Sequence, residues 1–365
     1  MKKYFSDIIN IVASEKPDCI PEACSLLTPE TLMHYPKCLY KYRTFDEDGH
    51  SIDALENDYL WANYPAKYDD PVDAAVKLKL KTELKDIETW VYSHVGEILF
   101  YNIPPKGMKS QKCGQKLEKY IEAQTHFVGS SGKIDATAVC RSLFTEANKL
   151  PQKQKQGFLD YLKKLETHEF EERVEKEIKD TLGKVVNTFR DNKLIVCLSE
   201  RNDNQKMWED YSGKYTGFVI EYKRPDFCSL DDDIKRLLVS MFPVSYYKRL
   251  PGVELLPFIK FAFYKDLYGK EIDISNANAK LFRQMLNKRI DYISEEEWRI
   301  ICNSEQQKIV FPFASAVYAG YKTEDKDLAK LKDISQKKGL PLYKQEVRIT
   351  GQMGFRTILE GKHNA

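Results

Sequence analysis

The chain has 365 residues, 42% hydrophobic and 31% charged, with a formal net charge of +2. That length gives one large or two modest domains and enough apolar material for a sizeable core. A charge so near zero excludes a global field drawing the chain to nucleic acid or to a membrane surface, although local basic patches are compatible with it.

The opening "MKKYFSDIINIVASEKPDCIPEA" carries apolar residues at helical spacing, broken by Asp7 and Glu15. It reads as an amphipathic helix and not as a secretory leader. No run approaches the ~18–20 apolar residues of a membrane helix. Residues 1–36 are expected to be N-terminal helices ending at Pro36. "KCLYKYRTF" (37–45) then predicts a strand, "SIDALEND" a short helix with Ser51 as N-cap, and "YLWANY" (59–64) a second strand. "PAKYDDPVD" is a loop. From 72 to 190 Lys and Glu dominate, and Phe158, Leu162, Leu165, Val174, Ile178, Leu182 and Val185 recur at helical spacing. This block predicts an inserted helical bundle that could serve as a homodimerisation element or a sensor.

Strand patterns return at 194–199, 217–223, 242–247, 289–302, 308–318 and 341–348. Helices are expected near 204–211, 229–240, 255–288 and 325–338. The fold class is therefore α+β, with a split, mixed or antiparallel sheet. Its core spans 37–71 and 191–350, and its large helical insertion spans 72–190. The eight cysteines form no CxxC pair, which suits reduced thiols and a cytoplasmic location. The six histidines show no HExxH spacing, so no metal site is predicted from them.

Four stretches could carry chemistry. In "LYKYR" (39–43), strand alternation puts Tyr40 and Tyr42 on one face and Lys41 and Arg43 on the other. Arg43 there suits either a phosphate or a surface ion pair. In "WANYPAKYDDPVD" (61–73), Asp69, Asp70 and Asp73 could bind Mg²⁺ or Ca²⁺, or cap a helix. In "CLSERNDNQKMWEDYS", Ser199 ends a buried strand, Asn202 or Asp203 caps a helix, and Trp208 and Tyr211 lie beside it. These aromatics are either core or the stacking surface of a flat polar ligand. In "YISEEEWRIICN" (292–303), Glu295, Glu297 and Arg299 share a strand face. Two buried carboxylates so close would push one pKa up, whereas on a solvent face Glu297 and Arg299 would merely pair.

Taken together, "LYKYR", "LWANYPAKYDDPVD", "CLSERNDNQKMWEDYS", "GFVIEY" and "YISEEEWR" resemble a bacterial family known mainly as a domain of unknown function. The resemblance covers about 38–75 and 194–350. Asp69 departs from that family's usual Asn, and Tyr292-Ile293 from its usual Trp. The order Arg43, Ser199, Glu295-x-Glu297 is also similar to arginine-type ADP-ribosyltransferases, and "RTFDEDGHSIDALENDYLWA" looks like the opening of their fold. That second resemblance implies an ADP-ribosyltransferase-like split sheet and NAD as substrate. Arg43, with Tyr40 and Tyr42, would hold the NAD phosphate or ribose. Ser199, Trp208 and Tyr211 would form the nicotinamide pocket. Glu297 would be the catalytic carboxylate, and Glu295 would orient or deprotonate the acceptor, which is a protein or a nucleic acid in ADP-ribosyl transfer and water in NAD glycohydrolysis. A role in phage defence, toxin action or stress response would follow, with no metal and no membrane partner. The long interval from Arg43 to Ser199 and the absence of a second Ser or Thr after "CLS" are departures. The rival readings are a Mg²⁺-dependent nuclease or phosphodiesterase, with Asp69, Asp70, Asp73 and Glu297 on the metal and Lys41 or Arg43 on a phosphate, and a non-catalytic binding or regulatory module.

Overall fold

The structure, a computed structural model, describes residues 3–14, 16–68, 70, 73–79, 83, 86–87, 90, 152, 179–187, 192–302, 306–347 and 353–361. Most of the helical block expected over 72–190 lies outside these residues. The chain divides into two compact units. One comprises Met1–Val76, Thr188–Pro251 and Asn278–Ala365, and the other Lys77–Asn187 and Gly252–Ala277. In the second unit, Leu78 forms a parallel bridge with Val253, and Glu83 accepts the Leu255 N–H at 2.7 Å. Residues 252–277 thus cluster with 77–187.

The first unit is mixed α/β. It opens with helices α1 (Lys3–Val12), α2 (Cys19–Ser25) and α3 (Pro29–Leu32). Thr28 caps α3 in a reciprocal box with Thr31. Strand β1 (Cys38–Arg43), helix α4 (His50–Glu56) and strand β2 (Tyr59–Trp61) follow. After the 72–190 block come β3 (Leu194–Ser199), α5 (Gln205–Tyr211), β4 (Phe218–Lys223), α6 (Asp232–Leu238), β5 (Met241–Pro243) and β6 (Ser245–Tyr247). Helix α7 (Leu256–Tyr268) belongs to the second unit, and α8 (Ser275–Gln284) leads back to the first. The chain finishes with β7 (Asn287–Arg289), β8 (Glu297–Cys302), β9 (Lys308–Val310), β10 (Ala314–Ala319), α9 (Asp325–Lys338), β11 (Leu342–Val347) and β12 (Met353–Leu359).

Among the described residues the main sheet has eight strands, in the order β12-β11-β10-β4-β1-β3-β8-β5. Its pairs are antiparallel except β10 with β11. That parallel pair needs a crossover, and α9 supplies it. Two small ladders, β2–β9 and β6–β7, lie outside the sheet. The apolar run of β3 is buried almost throughout. Such a run belongs to an interior strand covered on both faces. The N-terminal helices cover one of those faces, where Phe5 and Tyr35 pack on Trp298 at ring distances of 5.4 and 5.9 Å. No helix among the described residues is long and apolar enough to cross a membrane.

Several expected elements break where local chemistry interrupts them. The strand expected over 289–302 divides into β7, a 3₁₀ turn over Ile290–Glu295, and β8, with Glu296 at φ 44° between turn and strand. The strand expected over 308–318 divides at Pro312, which has no N–H to give a ladder. The helix expected over 255–288 ends at Gly269, whose left-handed conformation closes α7. Ser51 does not cap α4. Its N–H and hydroxyl both donate to Asp46 Oδ2, at 2.9 and 2.6 Å. Asn204, not Asn202 or Asp203, caps α5. Strand β12 was not expected from the sequence.

The joint that matters for the site lies between β1 and β3. These strands share a single register pair, Tyr40 with Ser199, whereas β1 pairs with β4 along its whole length. Beyond Tyr40 the sheet is split. Asn63 bridges to the exposed edge of β3 at Ile195, with N–H···O distances of 3.0 and 2.9 Å. Lys41 spans the gap, its Nζ donating to the Cys197 carbonyl at 2.7 Å. On the other side of β1 the backbone of Gly217 approaches so closely that a Cβ would lie 2.1 Å from the Arg43 carbonyl oxygen. We therefore expect Gly217→Ala to destabilise the protein by about 1–3 kcal/mol, as overpacking does. A urea midpoint identical to the wild type would show that this contact relaxes freely.

Candidate functional site

A cavity of about 350 Å³ opens in the split. Tyr40, Lys41, Tyr42 and Arg43 of β1 form one wall, and Ile195, Cys197 and Leu198 of β3 the facing one. Trp61, Asn63, Lys67, Tyr68 and Asp70 also line it, Met207 and Tyr211 reach in from α5, and Asp73, Lys288, Tyr292, Glu295 and Glu297 form the floor. The volume is within the ~300–1,000 Å³ of small-molecule sites.

The floor is a buried ion cluster. Lys288 Nζ lies 2.6 Å from Glu295 Oε2, 2.8 Å from Glu297 Oε2 and 3.5 Å from Asp73 Oδ2. Behind it, Arg299 is fully buried. Its Nε donates to Glu297 Oε1 at 2.7 Å, its Nη2 to Asp73 Oδ1 at 2.6 Å, and its Nη1 to the Met285 carbonyl at 2.6 Å. Three carboxylates against two cations leave one net negative charge. The two glutamates play different parts. Burial alone would push the Glu297 carboxyl up, but Arg299 and Lys288 overcome it and hold the group down to about 2. Burial raises Glu295 above the usual carboxylate range, with Lys288 opposing. Glu297 is therefore a fixed negative charge at neutral pH, and Glu295 is the better proton acceptor.

The β1 wall is cationic. The Nε and Nη2 atoms of Arg43 are buried without a hydrogen-bond partner among the described residues, and burial lowers its pKa. Tyr222, Asp46 and Tyr59 compensate the charge in part, but two unsatisfied donors on a buried guanidinium are costly, and an anion in the cavity would relieve them. Burial, with Arg43 adding repulsion, pulls Lys41 down to about 8. Its ordinary value is 10.5. Between those two pH values the unfolded chain holds a proton at Lys41 that the folded chain has released. Stability carried by this group therefore rises with pH through that window. In urea titrations, wild type is expected to gain on Lys41→Met from pH 8 to 10.5 and to show a constant difference below pH 8. A difference independent of pH would mean that Lys41 keeps an ordinary pKa.

The structure brings together most of the residues singled out from the sequence. Arg43, Tyr40, Tyr42, Tyr211, Glu295 and Glu297 all line the cavity. Ser199 and Trp208 do not. Ser199 is fully buried. Its hydroxyl donates to the Glu295 carbonyl at 2.6 Å and accepts the Arg201 N–H at 3.0 Å. At the meeting point of β1, β3 and β8 it ties down the turn that carries Glu295. Trp208 is a core residue. Its indole N–H donates to the Asn202 carbonyl at 2.7 Å, and its ring packs edge-on to Tyr42 at 5.5 Å. It holds Tyr42 and α5 in place and leaves Tyr211 to reach Glu295 Oε1 at 3.2 Å. Asp73 serves neither as a helix cap nor beside free carboxylates, since Arg299 and Lys288 bind it. Asp69 lies outside the described residues. Among the described residues no three His, Cys, Asp or Glu side chains are placed to hold a metal ion. Lys288 was missed as a site residue, and Lys41 was weighed only as a phosphate ligand in the nuclease reading. The sequence signal for Lys288 was weak, because in "MLNKRI" it stands beside a second cation, Arg289, and only the fold buries the one and exposes the other.

Fold and cavity thus define a mixed α/β protein with a charged, aromatic-walled site in a split sheet. Within it, residues 207–300 match the model of a family described as "Protein of unknown function (DUF2971)". The matched stretch runs from Met207 on α5 to Ile300 on β8, and contains Tyr211, Lys288, Glu295, Glu297 and Arg299. No curated protein and no solved structure matches the chain.

Proposed function

We propose that the protein cleaves NAD at its nicotinamide bond and passes the ADP-ribosyl group to an acceptor or to water, on an ADP-ribosyltransferase-like split sheet. The observation that carries this reading is the polarity of the cavity: Arg43, with two buried nitrogens that lack hydrogen-bond partners among the described residues, beside Lys41 on one wall, and a carboxylate cluster of net charge −1 on the floor. A dinucleotide offers complementary groups, with its pyrophosphate for the cationic wall and its cationic nicotinamide end for the floor. Departure of nicotinamide moves positive charge onto the ribose carbon. A fixed carboxylate such as Glu297 stabilises that charge without reorganising. Tyr211, which is exposed, supplies flat surface for rings, with Tyr40 and Tyr42 packed in the apolar cluster behind the wall. The nuclease reading loses support because Asp73 and Glu297 are bridged by Arg299 instead of facing a vacant cation position.

The test is nicotinamide release from NAD by purified protein in EDTA, with cell lysate added as a source of acceptors. Release that persists in EDTA supports the reading. No release with any acceptor source would sink it.

A further inference from the structure

The acceptor can be narrowed from the cavity floor, on the assumption that the NAD reading holds. The Lys288 ammonium is flanked by Glu295 and Glu297 at 2.6 and 2.8 Å and lies 4.9 Å from the centre of the Tyr292 ring. All four residues line the cavity. Two carboxylates and an aromatic face are the surroundings in which a guanidinium or amine ligand is bound. Here a side chain of the protein itself fills that position. Lys288 is 7% exposed, so its ammonium is not a solvent-facing charge that a ligand could brush aside. The second oxygen of Glu295 is also engaged, by the Tyr211 hydroxyl. Glu297 is held on both oxygens by Arg299 and Lys288. A second cation entering beside Lys288 would meet a like charge at close range in a poorly solvated site. The one uncompensated negative charge of the cluster answers the single positive charge of the donor and leaves nothing for a cationic acceptor.

We infer that Lys288 is a built-in occupant of a monocation subsite, and that the second substrate of this cavity is an uncharged hydroxyl, water included, and not a guanidinium or amine. In the transfer step the bond from the ribose anomeric carbon to the nicotinamide nitrogen breaks. Its electron pair leaves with the ring, which becomes neutral. The acceptor oxygen forms the new bond to that carbon, and its proton passes to the Glu295 carboxylate. Burial favours this, because it makes Glu295 a stronger base than an ordinary carboxylate.

Two measurements test the inference. In the first, the protein is incubated with NAD and either agmatine or methanol, and products are resolved by mass spectrometry. Free ADP-ribose or its methyl glycoside is expected, with no agmatine adduct; an agmatine adduct forming faster than ADP-ribose overturns the inference. The second needs no turnover. Agmatine binding is measured by calorimetry on wild type and on Lys288→Met, with Lys288→Gln as the alternative if the first variant does not fold. Removal of the internal ammonium should tighten agmatine binding at least tenfold, and equal affinities would show that Lys288 occupies no cation subsite. If the wild type releases no nicotinamide, the NAD reading fails, and the binding comparison still decides the subsite.

Discussion

Glu297→Gln is expected to lower nicotinamide release by a factor of about 10²–10³, the effect of removing one preorganised electrostatic group from a site where charge develops. Glu297 is held to about 2 by Arg299 and Lys288 against the pull of burial, so it is ionised at every pH at which the protein would be assayed. The amide keeps the size of the side chain and removes the charge. It also turns one end of the group into a donor, facing either Lys288 or the Arg299 fork. The floor changes from a net charge of −1 to neutral and no longer answers a cationic transition state. The loss should fall on kcat, with KM for NAD little changed, because Arg43 and the tyrosines that hold the ground state are untouched. Circular dichroism and a thermal melt on the same sample establish that the variant is folded. A folded variant that releases nicotinamide at the wild-type rate would remove Glu297 from the chemistry.

Arg299→Met is expected to produce the largest loss of stability, about 3–5 kcal/mol, the range for breaking a buried ion pair from one side. Arg299 is fully buried. It joins three separate parts of the chain: Glu297 on its own strand, Asp73 after β2 and the Met285 carbonyl after α8. Methionine fills part of the volume but leaves three carboxylates, those of Asp73, Glu295 and Glu297, sharing Lys288. The urea midpoint should fall while the m-value stays constant, the signature of a stability change without a change in the unfolded state. A loss under ~1 kcal/mol would mean that water or a shifted Lys288 compensates. The pH dependence has a definite sign. Glu297 has a folded pKa of about 2 against an ordinary 4.5. Its contribution is therefore complete above pH 4.5 and is lost as pH falls towards 2. Without Arg299, burial is opposed only by Lys288 and the Cys197 thiol, so the Glu297 pKa rises. Any activity that needs the ionised carboxylate then loses its acid limb at a higher pH than in wild type.

Local pattern was enough for β3 and α9. The apolar run "LIVCLS" and the helical periodicity of "DKDLAKLKDISQKK", closed by Gly339, give both elements with the boundaries observed. It was also enough to place Arg43, Tyr40, Tyr42, Tyr211, Glu295 and Glu297 among the residues with chemistry to offer. Alternation in "LYKYR" and the turn chemistry after Ser199 are properties of short segments. Ser199 and Trp208 show where such reasoning stops. A serine and a tryptophan beside a strand end have the same local signature whether they face a ligand or the core, and here both are consumed by internal hydrogen bonds.

The sequence by itself determined the alternation of strands and helices, the capping and breaking residues, and the presence of unusual charges in strands that are otherwise apolar. The tertiary structure alone decided that β1 and β3 meet at one residue pair and then part, and that Lys41 and Asn63 fill the strand edges so exposed. It also decided that Asp73, Lys288, Glu295, Glu297 and Arg299 share one buried cluster. The reason is physical. Backbone preference and amphipathic period act over a few residues and are written locally. Ion pairing, desolvation and the resulting pKa values depend on which distant strands become neighbours and on how much water their packing excludes.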